Sequence, residues 1–188
     1  MSTQPALRRW TYEEFKKLPD DRNRYEVIAG ELVVTPSSPG SAHQELLGRL
    51  YLLLRPFVDA HALGRVMLPM DVVFGEGDYL IPDLTFVRGD RSGVITSKYV
   101  QGAPDLVIEV LSPSTRSRDR GIKRERYAHY GVPEYWVLDP LRCTIEIHRP
   151  LESAQRMAIL STGTLEWRPA PEGPVLSIDL DALFRNLE

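Results

Sequence analysis

Residues 105–139 read DLVIEVLSPSTRSRDRGIKRERYAHYGVPEYWVLD, in which a densely charged run separates two apolar runs. Asp105–Leu111 is apolar apart from its acids, which is typical of a strand buried on both faces of a sheet. Thr115–Tyr130 begins at residues that can cap a helix and is followed by Gly131, a common helix terminator, so we predict a helix there. Glu134–Leu138 is apolar again and is predicted to return as a strand.

The N-terminal part of the chain predicts a short helix, a β-hairpin and a long helix. Residues 11–14 have the capping-box pattern, and the helix that they start should end near Pro19. Apolar residues at helical spacing predict the long helix over residues 42–60, with a kink at Pro56, which lacks a backbone donor. The hairpin is predicted to join Tyr25–Ile28 to Glu31–Val34 through Ala29-Gly30.

The remaining elements are mostly predicted strands. Val66–Phe74 and Tyr79–Val87 should form an antiparallel pair, because the residues between them are a strong turn signal. Short strands are expected near 143–149, 156–161 and 164–168, before a final short helix. Together these elements predict a single domain over residues 1–188 of the α/β class, with a mixed central β-sheet flanked by helices, an N-terminal hairpin and a C-terminal β-rich extension.

Composition excludes several classes of protein. The chain has 188 residues, 43% hydrophobic and 26% charged, which is typical of a folded globular protein. Its apolar runs are far shorter than the roughly 20 residues of a membrane span, and Met1–Trp10 lacks a secretory core, so we expect no membrane association and a cytoplasmic location. The single cysteine, Cys143, can form neither an internal disulfide nor a thiolate zinc site alone. A net charge of −3 means that any case for nucleic acid must rest on a local basic patch.

Two acids stand out against apolar surroundings. Asp83 follows Ile81-Pro82 in one predicted strand, where proline cannot donate to a sheet and so suggests a local opening. Glu109 lies in the strand Asp105–Leu111, where an unpaired carboxylate would be strongly desolvated and therefore needs a cation. Mg²⁺ favours such oxygen ligands, although two acids that form salt bridges within the sheet fit the pattern equally well.

The helix after Glu109 carries the densest basic run in the chain. Six cations, against only Asp119 and Glu125, lie between residues 116 and 126: Arg116, Arg118, Arg120, Lys123, Arg124 and Arg126. A solvated helix face is the usual meaning of such a run. Helical spacing also allows Lys123 to face the sheet acids while the arginines bind nucleic-acid phosphates.

Several motifs resemble one known family. They are Tyr25-Glu26, Gly30-Glu-Leu32, His43, Pro82-Asp83, the stretch 105–114, Arg120-Gly-Ile-Lys123, Tyr127 and the stretch 131–140. With them the chain resembles the Uma family of restriction endonucleases, in the PD-(D/E)XK nuclease superfamily, over residues 8–150. The resemblance implies a restriction-endonuclease-like core. It also implies that Asp83, Glu109 and the Val110 carbonyl bind a divalent metal, Mg²⁺ or Mn²⁺.

Two further residues are weaker site candidates. The resemblance makes His43 a candidate for positioning water or substrate near the metal, although a capping or surface histidine is an open alternative. Asp71, in the strand predicted to pair with that of Asp83, is a candidate third acid for the metal.

One position departs from the superfamily pattern. A lysine is expected two residues after Glu109, and Leu111 stands there. The resemblance implies that Lys123, from the following helix, supplies the same charge. Without such a replacement the domain would be an inactive relative of the nucleases, which is possible because a fold does not guarantee a function.

These observations predict a metal-dependent endonuclease that hydrolyses phosphodiester bonds in nucleic acid, with DNA favoured by the resemblance alone. Cleavage of both strands would need two sites, hence a homodimer. An inactive nucleic-acid-binding or regulatory module is the main alternative. A two-carboxylate glycosidase is a third, which the basic helix and the lack of an aromatic cluster disfavour.

Overall fold

A computed structural model describes residues 9–21, 23–36, 40–152 and 157–187, so most of the polar N-terminal stretch 1–10 lies outside the described residues. The helices are α1 Tyr12–Phe15, α2 Ser41–Ala60, α3 Arg116–Arg118, α4 Arg124–His129 and α5 Leu180–Leu183. The strands are β1 Asn23–Ile28, β2 Glu31–Pro36, β3 Gly64–Met67, β4 Asp71–Gly75, β5 Asp78–Leu80, β6 Leu84–Arg88, β7 Tyr99–Gln101, β8 Leu106–Val110, β9 Glu134–Asp139, β10 Thr144–His148, β11 Met157–Leu160, β12 Thr164–Trp167 and β13 Leu176–Asp179. A 3₁₀ turn spans Gly89–Val94 and a π turn spans Asp119–Lys123.

The larger sheet has six strands in the order β11-β10-β9-β8-β6-β3. Its centre is the predicted strand–helix–strand unit, since β8 and β9 are parallel neighbours with Glu109 opposite Val137. The two faces of β8 alternate with the strand period. Leu106, Ile108 and Val110 pack in the cluster that contains the buried side of α2, whereas Val107 packs with Tyr127 of α4. Both faces of β8 are therefore covered, as its apolar sequence predicted.

A second sheet has five strands in the order β2-β1-β5-β4-β7 and contains the predicted hairpin β1–β2. The antiparallel pairing predicted for 66–74 and 79–87 is confirmed, but the pair is divided between the two sheets. Each run breaks in two, near Pro69 and Pro82, because proline cannot supply a sheet hydrogen bond. As a result β3 pairs with β6 in the larger sheet, and β4 pairs with β5 in the smaller one.

The predicted basic helix is interrupted in its middle. Gly121 has φ −106° and ψ −107°, which is not helical, and it lies within the π turn that joins α3 to α4. The prediction of a continuous helix was therefore wrong at this point, whereas its end was predicted correctly at Gly131, which has φ +74°. By contrast, Pro56 does not end α2, which continues to Ala60.

The C-terminal extension is the antiparallel pair β12–β13 followed by α5. Leu165, Ile178 and Leu180 join the same hydrophobic cluster as α2, so the extension packs on the α2 side of the large sheet. The strands β7 and β13 were not predicted. The mixed α/β class is confirmed, although it comprises more than one sheet. Within the described ranges no helix is long and apolar enough to span a membrane.

Candidate active site

Asp83 and Glu109 lie on neighbouring segments of the large sheet. Asp83 is not inside a strand as predicted: β5 ends at Leu80, and Asp83 occupies the last position before β6. Since β6 pairs with β8, this position lies beside the end of β8. The backbone N–H of Val110 donates to Asp83 Oδ2 at 2.8 Å, and this bond ties the two segments together.

The Asp83 carboxylate has two further partners. Arg24 Nη1 donates to Oδ1 at 3.1 Å, and His43 Nε2 lies 3.2 Å from Oδ2. Burial opposes ionisation of Asp83, but the hydrogen bond from His43 and the charge of Arg24 prevail and lower its pKa to about 2. Asp83 is therefore an anion at every physiological pH. His43 lies in the first turn of α2, and its side chain is part of the site rather than of the surface.

Lys123 lies at the centre of a cluster of three acids. Its Nζ is 2.9 Å from Glu26 Oε1, 3.0 Å from Glu109 Oε1 and 3.4 Å from Asp119 Oδ1. The side chain is only 2% exposed, and the three carboxylates raise its pKa despite burial, so it remains an ammonium. Lys123 thus reaches Glu109 as the sequence predicted. Leu111, at the usual lysine position, is buried in the apolar cluster with Tyr127.

The pKa of Glu109 is shifted upward. Burial raises its pKa to about 8, with the charges of Asp119 and Asp83 acting in the same direction and the charge of Lys123 opposing them. Burial also raises the pKa of Asp119. The pKa of Glu26 is lowered instead, because the charges of Lys123 and Arg24 outweigh its burial. With a pKa of about 8, Glu109 is mostly protonated near neutral pH.

The donor set fits a hard divalent cation. Four carboxylates surround two permanent cations, Arg24 and Lys123, so full ionisation leaves an excess of two negative charges. Lys123 and Tyr127 both donate to Oε1 of Glu109, at 3.0 and 2.8 Å, and no described residue donates to Oε2. The described ranges hold no group of three or more Asp, Glu, His or Cys arranged as a complete metal cage. Mg²⁺ does not need a complete cage of protein ligands, because it is usually bound by one or two carboxylates together with water and substrate phosphates.

An open cleft of about 830 Å³ gives access to these groups. Among its lining residues are Asp83, Glu109, Val110, His43 and Lys123. Asp71 lines it too, and burial raises the pKa of this acid. Asp71 begins β4, which pairs with β5 at the start of the run predicted to contain Asp83, but Asp83 itself lies beyond the end of β5 and outside any strand. The role of Asp71 as a third metal ligand stays a prediction.

The lining of the cleft corrects one argument of the sequence analysis. Tyr12, Phe15 and Tyr25 all border the cleft, although no aromatic cluster near the acids was expected. Aromatic side chains are therefore present near the acids, and the argument against a sugar substrate that rested on their absence no longer holds.

Most of the five arginines of the basic run have partners within the chain. None lines the cleft, and four are engaged within the chain. Arg116 and Arg120 share Asp139, Arg120 also binds Glu146, Arg118 donates to Thr35, and Arg126 binds Asp78. Arg124 is exposed. Phosphate binding by these arginines stays a prediction, but most of them would have to exchange an internal partner for it.

Four members of the site were given no site role from the sequence: Arg24, Glu26, Asp119 and Tyr127, although Glu26 and Tyr127 are among the motif residues that match the family. Glu26 offered a signal, because like Glu109 it is an acid beside apolar strand residues, here Val27 and Ile28. Asp119 is spaced four residues from Lys123, which places the two on one helical face. Nothing local distinguishes Arg24 from other arginines.

Comparisons with known proteins identify the family and a shared fold. A crystal structure from Anabaena variabilis ATCC 29413, described as "a putative nuclease belonging to DUF820", has a TM-score of 0.78 at 22% sequence identity and covers 95% of this chain and 99% of that chain. At this identity the match shows a shared fold. No curated protein was found to be similar to the chain. The model of the family Uma2, described as "Putative restriction endonuclease", matches residues 12–181. Because this match spans well over half of the chain, the protein belongs to the Uma2 family.

Proposed function

We propose that the protein is a divalent-metal-dependent endonuclease that hydrolyses phosphodiester bonds in DNA. One observation carries the proposal: four buried carboxylates share only two permanent cations at an open cleft, and one of the four, Glu109, has a pKa raised to about 8. Such an excess is costly unless a further cation enters. The description of the family supports nucleic acid as the substrate.

Asp83, Glu109 and the Val110 carbonyl are the residues that would hold the ion, either Mg²⁺ or Mn²⁺. The ion would supply charge stabilisation on the phosphate and increase the acidity of a bound water. Both acids must be ionised to bind the ion. Asp83 is already ionised, whereas Glu109 must first release its proton. His43 orients the Asp83 carboxylate through its Nε2 contact.

Lys123 has a different task in this mechanism. Because its three carboxylate neighbours keep Nζ protonated, it acts as a fixed positive charge rather than as a base. Such a charge stabilises negative charge that develops on a phosphate oxygen, or orients the attacking water, without reorganising during the reaction. Tyr127, which donates to Oε1 of Glu109, keeps that carboxylate in place beside Lys123.

The test combines ion binding with a search for substrate. Parent, Asp83→Asn and Glu109→Gln proteins are titrated calorimetrically with Mg²⁺ and Mn²⁺, and incubated with single-stranded, duplex and branched DNA. Glu146→Gln is the matched control, because Glu146 is a buried acid outside the cleft that binds Arg120. We expect the two site variants to lose ion binding and cleavage while the control keeps both. Ion binding unchanged in both site variants would place the metal elsewhere.

A second candidate is an inactive nucleic-acid-binding or regulatory module. It is favoured by the position of Lys123, which is buried among three acids, and by the internal partners of the basic run. This candidate predicts ion and DNA binding with no cleavage of any substrate in the same experiment.

The quaternary structure follows from the substrate. If the enzyme cuts both strands of a duplex, two copies of the site must act, and we propose a homodimer formed by a single-domain chain. Sedimentation in the presence and absence of duplex DNA tests the dimer, and a single cooperative unfolding transition tests the single domain.

A further inference from the structure

Arg24 uses only part of its hydrogen-bonding capacity. Its Nη1 donates to Asp83 Oδ1 at 3.1 Å. Its Nε and Nη2 are buried, and neither has an acceptor among the described residues. A buried donor without an acceptor typically costs free energy, so two on one side chain need an explanation. Arg24 also lines the cleft beside Asp83.

The unused atoms form one particular edge of the guanidinium. Two other arginines show what this edge binds in the same protein. Arg88 donates from Nε and Nη2 to the two oxygens of Asp90, at 3.1 and 2.7 Å. Arg126 donates from the same pair of nitrogens to the two oxygens of Asp78. This edge matches the spacing of two oxygens on a carboxylate or a phosphate, and in Arg24 it is empty.

The contact that Arg24 does make is with a proposed metal ligand. Arg24 Nη1 occupies Oδ1 of Asp83, while Oδ2 accepts from Val110 and faces His43. A cation that binds Asp83 would compete with Arg24 for Oδ1. The displaced guanidinium would keep its charge, and its Nε and Nη2 would still need an acceptor.

We propose that Arg24 is a phosphate-binding residue of the nuclease site, which exchanges Asp83 for a backbone phosphate of the nucleic acid when a divalent cation binds Asp83. This inference rests on the proposed function and assigns a new role within it. In the absence of the cation, Arg24 neutralises Asp83. In its presence, the Nε and Nη2 edge binds two phosphate oxygens. Binding of the cation and of nucleic acid is therefore coupled, each strengthening the other.

The test measures binding rather than cleavage. A short fluorescein-labelled DNA duplex is titrated with protein and followed by fluorescence anisotropy, with and without Ca²⁺, a hard cation with the same preference for oxygen ligands. Gel analysis of the same samples confirms that the duplex is intact. The variants are Arg24→Gln and Arg24→Lys, with Arg88→Gln as the control, because Arg88 has the same edge already filled by Asp90.

We expect Ca²⁺ to tighten DNA binding by the parent and by the Arg88→Gln control. In Arg24→Gln, Ca²⁺ should still bind, as calorimetry will show, but DNA affinity with Ca²⁺ should fall roughly ten- to a hundredfold, the effect of losing a charged bidentate contact. Arg24→Lys keeps the charge without the fork and should recover only part of the gain.

The outcomes separate this inference from the proposed function. If the parent binds neither Ca²⁺ nor DNA, the proposed function fails and this inference fails with it. If Ca²⁺ tightens DNA binding equally in the parent and in Arg24→Gln, the proposed function survives and the role of Arg24 is refuted. Should Arg24→Gln not fold, as judged by circular dichroism, then a full Ca²⁺ effect in Arg24→Lys refutes the fork contact.

Discussion

Ion binding at this site should depend steeply on pH, because the ion must displace a proton from Glu109. Burial raises the pKa of Glu109 to about 8, so the carboxyl is mostly protonated below that pH. The pKa of Asp83 is about 2, so this acid adds no pH dependence near neutrality. Below about pH 8 the apparent affinity should rise about tenfold per pH unit, which is about 50-fold between pH 6 and pH 8, and it should level off above that range.

Calorimetry provides the assay. Titrations with Mg²⁺ in two buffers of different ionisation enthalpy report the number of protons released with each ion bound. We expect about one proton per ion well below pH 8 and almost none about one pH unit above it. Glu146→Gln should behave like the parent. His43→Asn separates any contribution of the imidazole that faces Asp83.

Two results would refute this reasoning. An affinity for Mg²⁺ that is flat between about pH 6 and pH 9 would mean that Glu109 is already ionised or is not a ligand. A Glu109→Gln variant that keeps both the affinity and its pH slope would assign the released proton to another group.

Four further predictions concern stability, catalysis and DNA binding. A carboxyl whose pKa is raised on folding favours the folded state only at low pH, so the ion-free parent should lose up to about 5 kcal/mol of stability as pH rises from 4.5 through about 8. The Glu109→Gln variant should not show this loss. Denaturant unfolding of both proteins at acid and alkaline pH is the assay, and a difference in stability between parent and variant that does not change with pH would refute the prediction. Lys123→Met leaves three buried acids without their shared cation and should destabilise the fold by about 3–5 kcal/mol, with Mg²⁺ raising its Tm more than that of the parent. On whichever substrate is cleaved, the same variant should lose a factor of about 10²–10³ in single-turnover rate, and cleavage at the parental rate would remove Lys123 from the mechanism. If Arg124 binds a phosphate, Arg124→Gln should reduce the slope of log binding constant against log salt concentration by about 0.9. Arg118→Gln should have the same effect only if Arg118 gives up its hydrogen bond to Thr35. Unchanged slopes would mean that the DNA binds elsewhere on the protein.

The sequence predicted the central unit of the fold well. Residues 105–139 form the expected strand, helical segment and strand, because burial on both faces of β8 leaves an apolar run that local pattern can detect. The same reasoning marked Glu109 as an acid in need of a cation. It also placed Lys123 within reach of Glu109, since the segment after a strand packs back on the sheet that contains it.

Other features depended on the tertiary structure. Proline residues 69 and 82 signal breaks in two β-rich runs, but only the packing shows that the pieces on either side join different sheets. Arg24 meets Asp83 across 59 positions of sequence, and Ile81 donates to Glu26 across 55. Contacts between residues so distant leave no local periodicity. The charge balance of the cleft and the buried edge of Arg24, which has no acceptor among the described residues, both depend on such long-range contacts. Only the folded chain determines them.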